Sequence, residues 1–413
     1  MKPFFIFLEL MIPIAAALLV LRKGSLAIVY IPFLFFANTL FEDPEYIPTN
    51  LYFYMNVALL LYFIFFNLPF VKRNVFSLLL VFYFFVLLVG VVDLYKIRRT
   101  FLGVMWLFVC FPLIPEIYKT YSRDRVFQEV SIASFLIMLV FVVNTILSTY
   151  FKYNPYETYG IKSGILFGRM STDIYNIFPF AIFMIFRKGI KDNNFYFLLL
   201  YLVSIFFVML TLRRSVMALS LIGTIIVLIE FMSLQQIKKL FLYGFIVLSA
   251  SLIVVQNTSF ADQFWERFEQ RGLDNRPVDE EKRLLEFEIV YKDLFVYYDY
   301  SPWFGFGLFD SNGNYGKKVF GDRSLHTDIT NITHSSGLIG LVLYILMVIV
   351  AFHSVWLRTR NRADFLQLVF ISLCFLVFFI NGRYTTTSAM LLMISVLSLP
   401  HAKTPRTALI NSQ

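Results

Sequence analysis

The stretch SLHTDITNITHSSGLIGLVLYILMVIVAFHSVWLRTR, Ser324–Arg360, changes character near its middle. Up to Ser336 it is polar and holds two of the four histidines of the chain. From about 335 to 357 it is almost continuously apolar, and Arg358 and Arg360 follow. An apolar run of about 17–25 residues is what a helix needs to cross a bilayer, and basic residues at its end favour the cytoplasmic side. Lipid is therefore the solvent in which this fold is read. Comparable runs occur outward from here at about 4–21, 26–41, 51–70, 75–92, 101–118, 130–150, 171–186, 195–212, 215–232, 240–256, 363–380 and 387–400. The expected fold is an all-α polytopic integral membrane protein of 12–14 transmembrane helices, with a best count of 13.

Composition agrees. Of 413 residues 59% are hydrophobic and 15% charged, where a soluble domain carries about a quarter charged residues. Cys110 and Cys374 lie inside apolar runs, far apart, which supports neither a disulfide framework nor a metal cluster. The first run lacks a small-residue cleavage site and is read as a retained span. The net charge of +9 does not point to nucleic acid, because the bases are spread through short connectors.

Their distribution assigns sides. Connectors holding Arg22, Lys72, Lys119, Arg187, Lys238, Arg358, Lys403 and their neighbours carry seventeen basic residues, and the alternate short connectors carry ten. The richer set faces the cytoplasm. Residues 1–256 are then N-terminal spans, 257–334 a loop outside the cytoplasm, and 335–413 C-terminal spans with a short cytoplasmic tail, all one integral domain. With thirteen spans the N-terminus lies outside. Arg98, Arg99, Arg169, Arg213, Arg214 and Arg383 nevertheless gather on the outer face. Any one of them can snorkel to headgroups. Arg213 and Arg214, however, separate two spans with almost no loop, and an ionisable residue held there marks a functional site. The set is expected to converge with the loop on one outward-facing cavity.

The loop carries fourteen acids against nine bases, which excludes it as an arm for anionic lipid or nucleic acid. Within Pro277–Tyr300, Leu284, Leu285, Phe287, Ile289, Val290, Leu294 and Phe295 recur near helical spacing, behind acids suited to a helix N-terminus. Ser301–Gly316 reads as a glycine-hinged segment. The loop is expected to be ordered, as long functional loops are. It holds no HExxH, GxSxG or P-loop motif. Two sequons, at Asn257 and Asn331, read as chance matches. Metal independence and no cofactor are expected. The alternative is a divalent cation at Glu42, Asp43 and Glu45 in the EDPEY connector, although such clusters are ordinarily solvated.

Three segments together resemble the superfamily of O-antigen polymerases (Wzy-type) and O-antigen ligases of bacterial envelopes. They are LTLRRSVMALSLIG (Leu210–Gly223), KRLLEFEIVYKDLFVYYDYSPWFGFGLF (Lys282–Phe309), and His326 eleven residues before the GLIG helix start at Gly337–Gly340. Thr327 stands where the family usually has Asn. The likeness covers the second half of the chain well and the first half only by topology.

The resemblance implies a GT-C-like bundle in the bacterial inner membrane with its active site facing the periplasm. It implies transfer of a glycan from undecaprenyl diphosphate to a sugar hydroxyl, with membrane lipids and a chain-length regulator as further partners. His326 is the implied base, suited to a hydroxyl near neutral pH. Asp328 orients His326 or replaces it, and His334 stands behind it, sharing a face if the segment is helical. Arg213, Arg214 and Arg283, with Arg169, Arg323 and Arg383 in reserve, are the implied diphosphate cations, a task suited to arginine's planar fork. The run Tyr297, Tyr298, Tyr300, Trp303, Phe304 and Phe306 either stacks on sugars or forms an interface belt. Polymerase is favoured over ligase, whose acceptor is lipid A core. From another class, a lipid-linked oligosaccharide transporter calls for an internal repeat, which the sequence does not display.

Overall fold

Short polar side chains open four of the described helices of this chain. In the computed structural model, Asn74 accepts from the Ser77 N–H, Asp93 from Lys96, Asn194 from Tyr196 and Thr327 from Thr330, each satisfying an N–H that has no partner within the helix. The structure describes residues 2–39, 49–91, 93–151, 168, 174–211, 213–231, 249, 269, 282–309, 315–318, 325–382 and 384–404. Among them the regular structure is wholly helical. In chain order the helices are α1 Lys2–Lys23, α2 Ile31–Thr39, α3 Thr49–Phe66, α4 Val75–Leu88, α5 Leu94–Tyr118, α6 Arg123–Phe151 and α7 Phe178–Lys191. They continue with α8 Phe195–Leu210, α9 Arg214–Glu230, α10 Lys282–Phe295, α11 Asp328–Trp356, α12 Arg362–Asn381 and α13 Thr387–Leu397.

Five helical stretches among the described residues are long and apolar enough to cross a membrane: Leu10–Asn38, Leu94–Tyr118, Arg123–Thr149, Asp328–Trp356 and Arg362–Ile380. Asn50–Phe66, Val75–Leu88, Phe195–Leu210 and Thr387–Leu397 are shorter apolar helices. The chain is a helical membrane protein. The expected spans 4–21 and 26–41 are separated by no loop. Gly24, at φ 58°, ends α1, and a 3-10 stretch Gly24–Tyr30 runs straight into α2. Residues 240–256, another expected span, lie outside the described residues apart from 249.

Helix α5 carries Pro112 and Pro115 within its length. Proline has no N–H and strips the carbonyl four residues earlier of its partner. In lipid that carbonyl must be satisfied by protein. For Pro112 the carbonyl is that of Phe108, and the Ser77 hydroxyl of α4 donates to it at 2.6 Å.

The chain divides into two units, each assembled from three separated segments. The first comprises Met1–Thr49, Asp124–Arg276 and Arg360–Phe370. The second comprises Asn50–Arg123, Pro277–Thr359 and Ile371–Gln413. The first is built on α7, which packs against α8 and α9. Two ionic ties brace it. Lys23 and the Tyr30 hydroxyl both reach Glu129 of α6 at 2.5 Å. The Arg187 guanidinium donates to Glu230 at 3.0 and 2.9 Å and to Gln367 at 2.7 Å. In the second unit α4 packs on α5 and α11, and α13 packs on α5. Glu116 there binds Arg73 at 2.6 Å and also Lys119. Asn74 donates to the Met347 carbonyl of α11 at 2.8 Å.

Candidate functional site

The site grows from α10, in the second unit. Glu286 and Asp293 lie seven residues apart, two helical turns, and so share a face; both are buried. Val290 and Leu294 on the same helix pack with Tyr315 and Leu325 in a small apolar core, with Ile289 and Tyr300 against it. Burial of those apolar groups holds α10 against the segment that carries the histidines. The amphipathic spacing predicted a helix here, and Lys282–Phe295 is where it forms.

Glu286 is spent on His326. One carboxylate oxygen accepts from the His326 backbone N–H at 2.9 Å, and the other lies 3.0 Å from ring Nδ1. A carboxylate only accepts, so Nδ1 carries a proton, and in the neutral imidazole Nε2 is then the nitrogen with the lone pair. The carboxylate is fully buried, while 31% of the His326 side chain is exposed. A partly open imidazole with one nitrogen fixed by a buried acid is the arrangement a general base requires.

Asp328 does not occupy that position. It is wholly buried in the first turn of α11, behind the N-cap Thr327. Its charge reaches the Tyr384 hydroxyl, which burial chiefly, with Asp328 adding to it, holds above the ordinary phenol range. The carboxylate on Nδ1 is thus that of Glu286, brought there by α10, and not that of Asp328, which the sequence offered either to orient His326 or to replace it. Nor do the two histidines share a helix face. His326 precedes the helix, since Thr327 is extended (φ −95°, ψ 149°), and His334 lies inside it.

His334 is buried in an aromatic box. Its ring stacks on Phe306 (centroids 5.3 Å apart, 24° between planes) and meets the edges of Tyr300 at 4.9 Å and Tyr315 at 6.1 Å. Its carbonyl accepts from the Phe306 N–H at 2.7 Å. Nearby, Asp293 accepts from the Gly316 N–H at 2.7 Å. Burial raises the Asp293 pKa, the Gly316 bond opposes this, and the Asp299 charge adds to the rise. Burial likewise pushes the Tyr300 hydroxyl up, helped by Asp293 and Asp299.

The glycine-hinged segment and the GLIG start meet here. Helix α11 is broken at Gly337, where φ is 66° and ψ −169°. Such backbone is essentially restricted to glycine. A Cβ at Gly305, itself at φ 78°, falls 2.6 Å from the Gly337 nitrogen and from the His334 carbonyl oxygen. The turn 301–309 crosses the break backbone to backbone. The Leu338 N–H finds the Pro302 carbonyl at 2.9 Å, and the Tyr83 hydroxyl donates to the Ser336 carbonyl at 2.7 Å. The two glycines are the only side chain small enough for this crossing.

The predicted cations are distributed as follows. Arg283 is the second residue of α10. Arg213 and Arg214 belong to the first unit. Arg214 is exposed, whereas Arg213 is half-buried with its guanidinium 5.5 Å from the Tyr175 ring centre. Arg98, in the second unit, stacks on Tyr95 at 3.8 Å. Arg169, Arg323 and Arg383, and the acidic trio Glu42, Asp43 and Glu45, lie outside the described residues. Among the described residues no group of three histidine, cysteine or acidic side chains is placed to hold a metal. Sequence reasoning counted Glu286 only among the acids of the loop. The available signal was its spacing to Asp293, which puts two acids on the apolar face of an amphipathic helix.

Set beside known proteins, the chain matches no family model, no curated relative and no solved structure.

Proposed function

We propose that this protein is a surface-polysaccharide polymerase, transferring an undecaprenyl-diphosphate-linked glycan to a sugar hydroxyl at the periplasmic face of a bacterial inner membrane. The observation that carries the reading is His326, partly open and held through Nδ1 by the buried Glu286. It supports the base role that the resemblance to O-antigen polymerases and ligases assigns to this position. The reading includes a GT-C-like bundle of thirteen spans and the loop 257–334 on the outer side.

In this scheme Nε2 of His326 takes the proton of the acceptor hydroxyl as its oxygen bonds to the anomeric carbon of the donor. The bond from that carbon to the diphosphate breaks, and its electron pair leaves with undecaprenyl diphosphate. Glu286 keeps the ring in one tautomer and offsets the charge of the imidazolium. Arg283, with Arg323 and Arg383, supplies cations for the departing diphosphate. Asp328 and His334 support the fold behind the base.

Deletion of the gene in its own host tests the reading through the surface-polysaccharide ladder. A single repeat on the core is the expected result for a polymerase. Long chains stranded on undecaprenyl diphosphate point to a ligase instead, transferring to lipid A core. An unchanged ladder and unchanged lipid-linked pool remove both.

A further inference from the structure

The turn 301–309 displays large aromatic side chains, with Trp303 60% and Phe304 53% exposed. Exposed apolar groups of this size mark a contact surface when they adjoin one another. Their height relative to the bilayer is set by hydrogen bonds. The Trp303 carbonyl lies 3.4 Å from the Ile339 N–H that donates to it and 3.3 Å from the Tyr83 hydroxyl, and the Pro302 carbonyl takes the Leu338 N–H. Leu338 and Ile339 form the first turn of α11 after the break at Gly337.

From Leu338 to Trp356 the helix is apolar throughout, apart from His353 and Ser354 near its end. At 1.5 Å per residue this segment is roughly 28 Å long, close to the ~30 Å hydrocarbon core. Trp356 and Leu357, both exposed, stand at one end with Arg358 beyond them. That is the signature of a membrane–water interface. The opposite interface then falls at Gly337, the level to which Trp303 and Phe304 are tied. The polar residues 328–336 stand beyond the hydrocarbon. The same bonds attach the turn to α4 and α11, whose Phe82, Phe85, Val86 and Val342 are exposed as lipid-facing residues of membrane helices are. The aromatic turn is thus continuous with the lipid-facing surface.

We infer that Trp303 and Phe304 form a membrane-interface anchor, seated among bilayer lipids at the level of the α11 break, which holds the histidine-bearing segment at a set height above the hydrocarbon. The partner is the headgroup–acyl boundary of the bilayer. The seating does not depend on which acceptor His326 serves.

Spin labelling of the full chain in liposomes tests this. Cys110 and Cys374 are both buried, so a thiol-directed label reports on an introduced cysteine. Labels at Trp303→Cys and Phe304→Cys are compared with Val342→Cys as a lipid-facing reference and Lys317→Cys, exposed on the loop, as an aqueous one. The expected result is a ratio of oxygen to water-soluble nickel-chelate collisions several-fold above that at Lys317→Cys and approaching that at Val342→Cys. A ratio matching Lys317→Cys means the turn is open to water and to dissolved glycans, and overturns the anchor. Protection from both reagents means that protein covers it, and overturns it too. If Trp303→Cys is not recovered in the membrane, Phe304→Cys decides alone.

Discussion

Glu286 and Asp293 are chemically alike and sit on the same face of α10, yet their surroundings give them different work. Glu286 holds a ring that stays partly open. Glu286→Gln keeps the shape but offers the two His326 donors only one good acceptor, so transfer should fall by about ten- to a hundredfold. His326→Ala should remove the ~10²–10⁴ that a positioned base contributes. Membrane levels of both variants should match the parent; equal loss of protein and activity would make the pair merely structural. His334 is expected to behave oppositely. Enclosed by Tyr300, Phe306 and Tyr315, its replacement by alanine should lower the thermal midpoint in detergent more than His326→Ala does. Asp293 gives the pH test. Its pKa is raised in the fold, so its protonated form favours folding. That advantage is present below the ordinary carboxylate range, near pH 4, and is lost as pH rises through the folded value. Asp293→Asn, which still accepts from Gly316, should therefore raise the thermal midpoint near pH 7 and bring no gain near pH 4. A lower midpoint at neutral pH would show that the charge itself is required.

At the scale of elements, the break in α11 and the turn 301–309 are one structure held in two places. The turn supplies carbonyls to the N–H groups of Leu338 and Ile339 that the break leaves without helical partners, and Gly305 and Gly337 permit the approach. Gly337→Ala should be poorly recovered from the membrane. Its Cβ would fall 2.6 Å from the Phe304 nitrogen and closer still to the Trp303 carbonyl, on top of about 1–3 kcal/mol for the disallowed backbone. Gly90→Ala is the control. Its nearest contact is an ordinary 3.6 Å, and its recovery should match the parent. Equal recovery of both would mean that the crossing is looser than these distances describe.

For the whole molecule, the ionic ties inside each unit carry more weight than propensity, because an unmatched charge in a membrane protein has little water to fall back on. Arg187 is 5% exposed and serves Glu230 and Gln367 together. Arg187→Ala strands the Glu230 carboxylate and should destabilise the protein by about 3–5 kcal/mol, while an apolar replacement of both partners should lose far less. Thermal unfolding of the single and double variants checks this. A double variant as unstable as Arg187→Ala would assign the effect to packing. His401, just beyond α13, offers a pH test. Burial first, then Arg358 and Arg73, push its pKa down to about 3, so the fold keeps it neutral. Its contribution is complete above the unfolded value near 6.5 and declines as pH falls towards 3. His401→Gln should flatten the acid limb of the stability profile between those limits; an unchanged limb assigns acid sensitivity to other groups.

The run of apolar residues after Gly337 was enough, by itself, to make this a helical membrane protein. A bilayer permits few ways to satisfy a backbone, and a run of that length selects the helix. The amphipathic spacing of Leu285, Ile289, Val290 and Leu294 likewise announced α10, and the glycines of SPWFGFG announced a hinged segment. Sequence spacing is a local ruler, and across forty residues it says nothing about distance. It therefore offered Asp328, two residues from His326, as the ring's partner or its replacement, where the fold puts Glu286 on Nδ1. The same limit hid the meeting of the two glycine segments at one crossing, the Ser77 hydroxyl that serves the carbonyl freed by Pro112, and the inward seat of His334. Each pairs groups from separate segments of the chain, and only tertiary packing decides which of them meet.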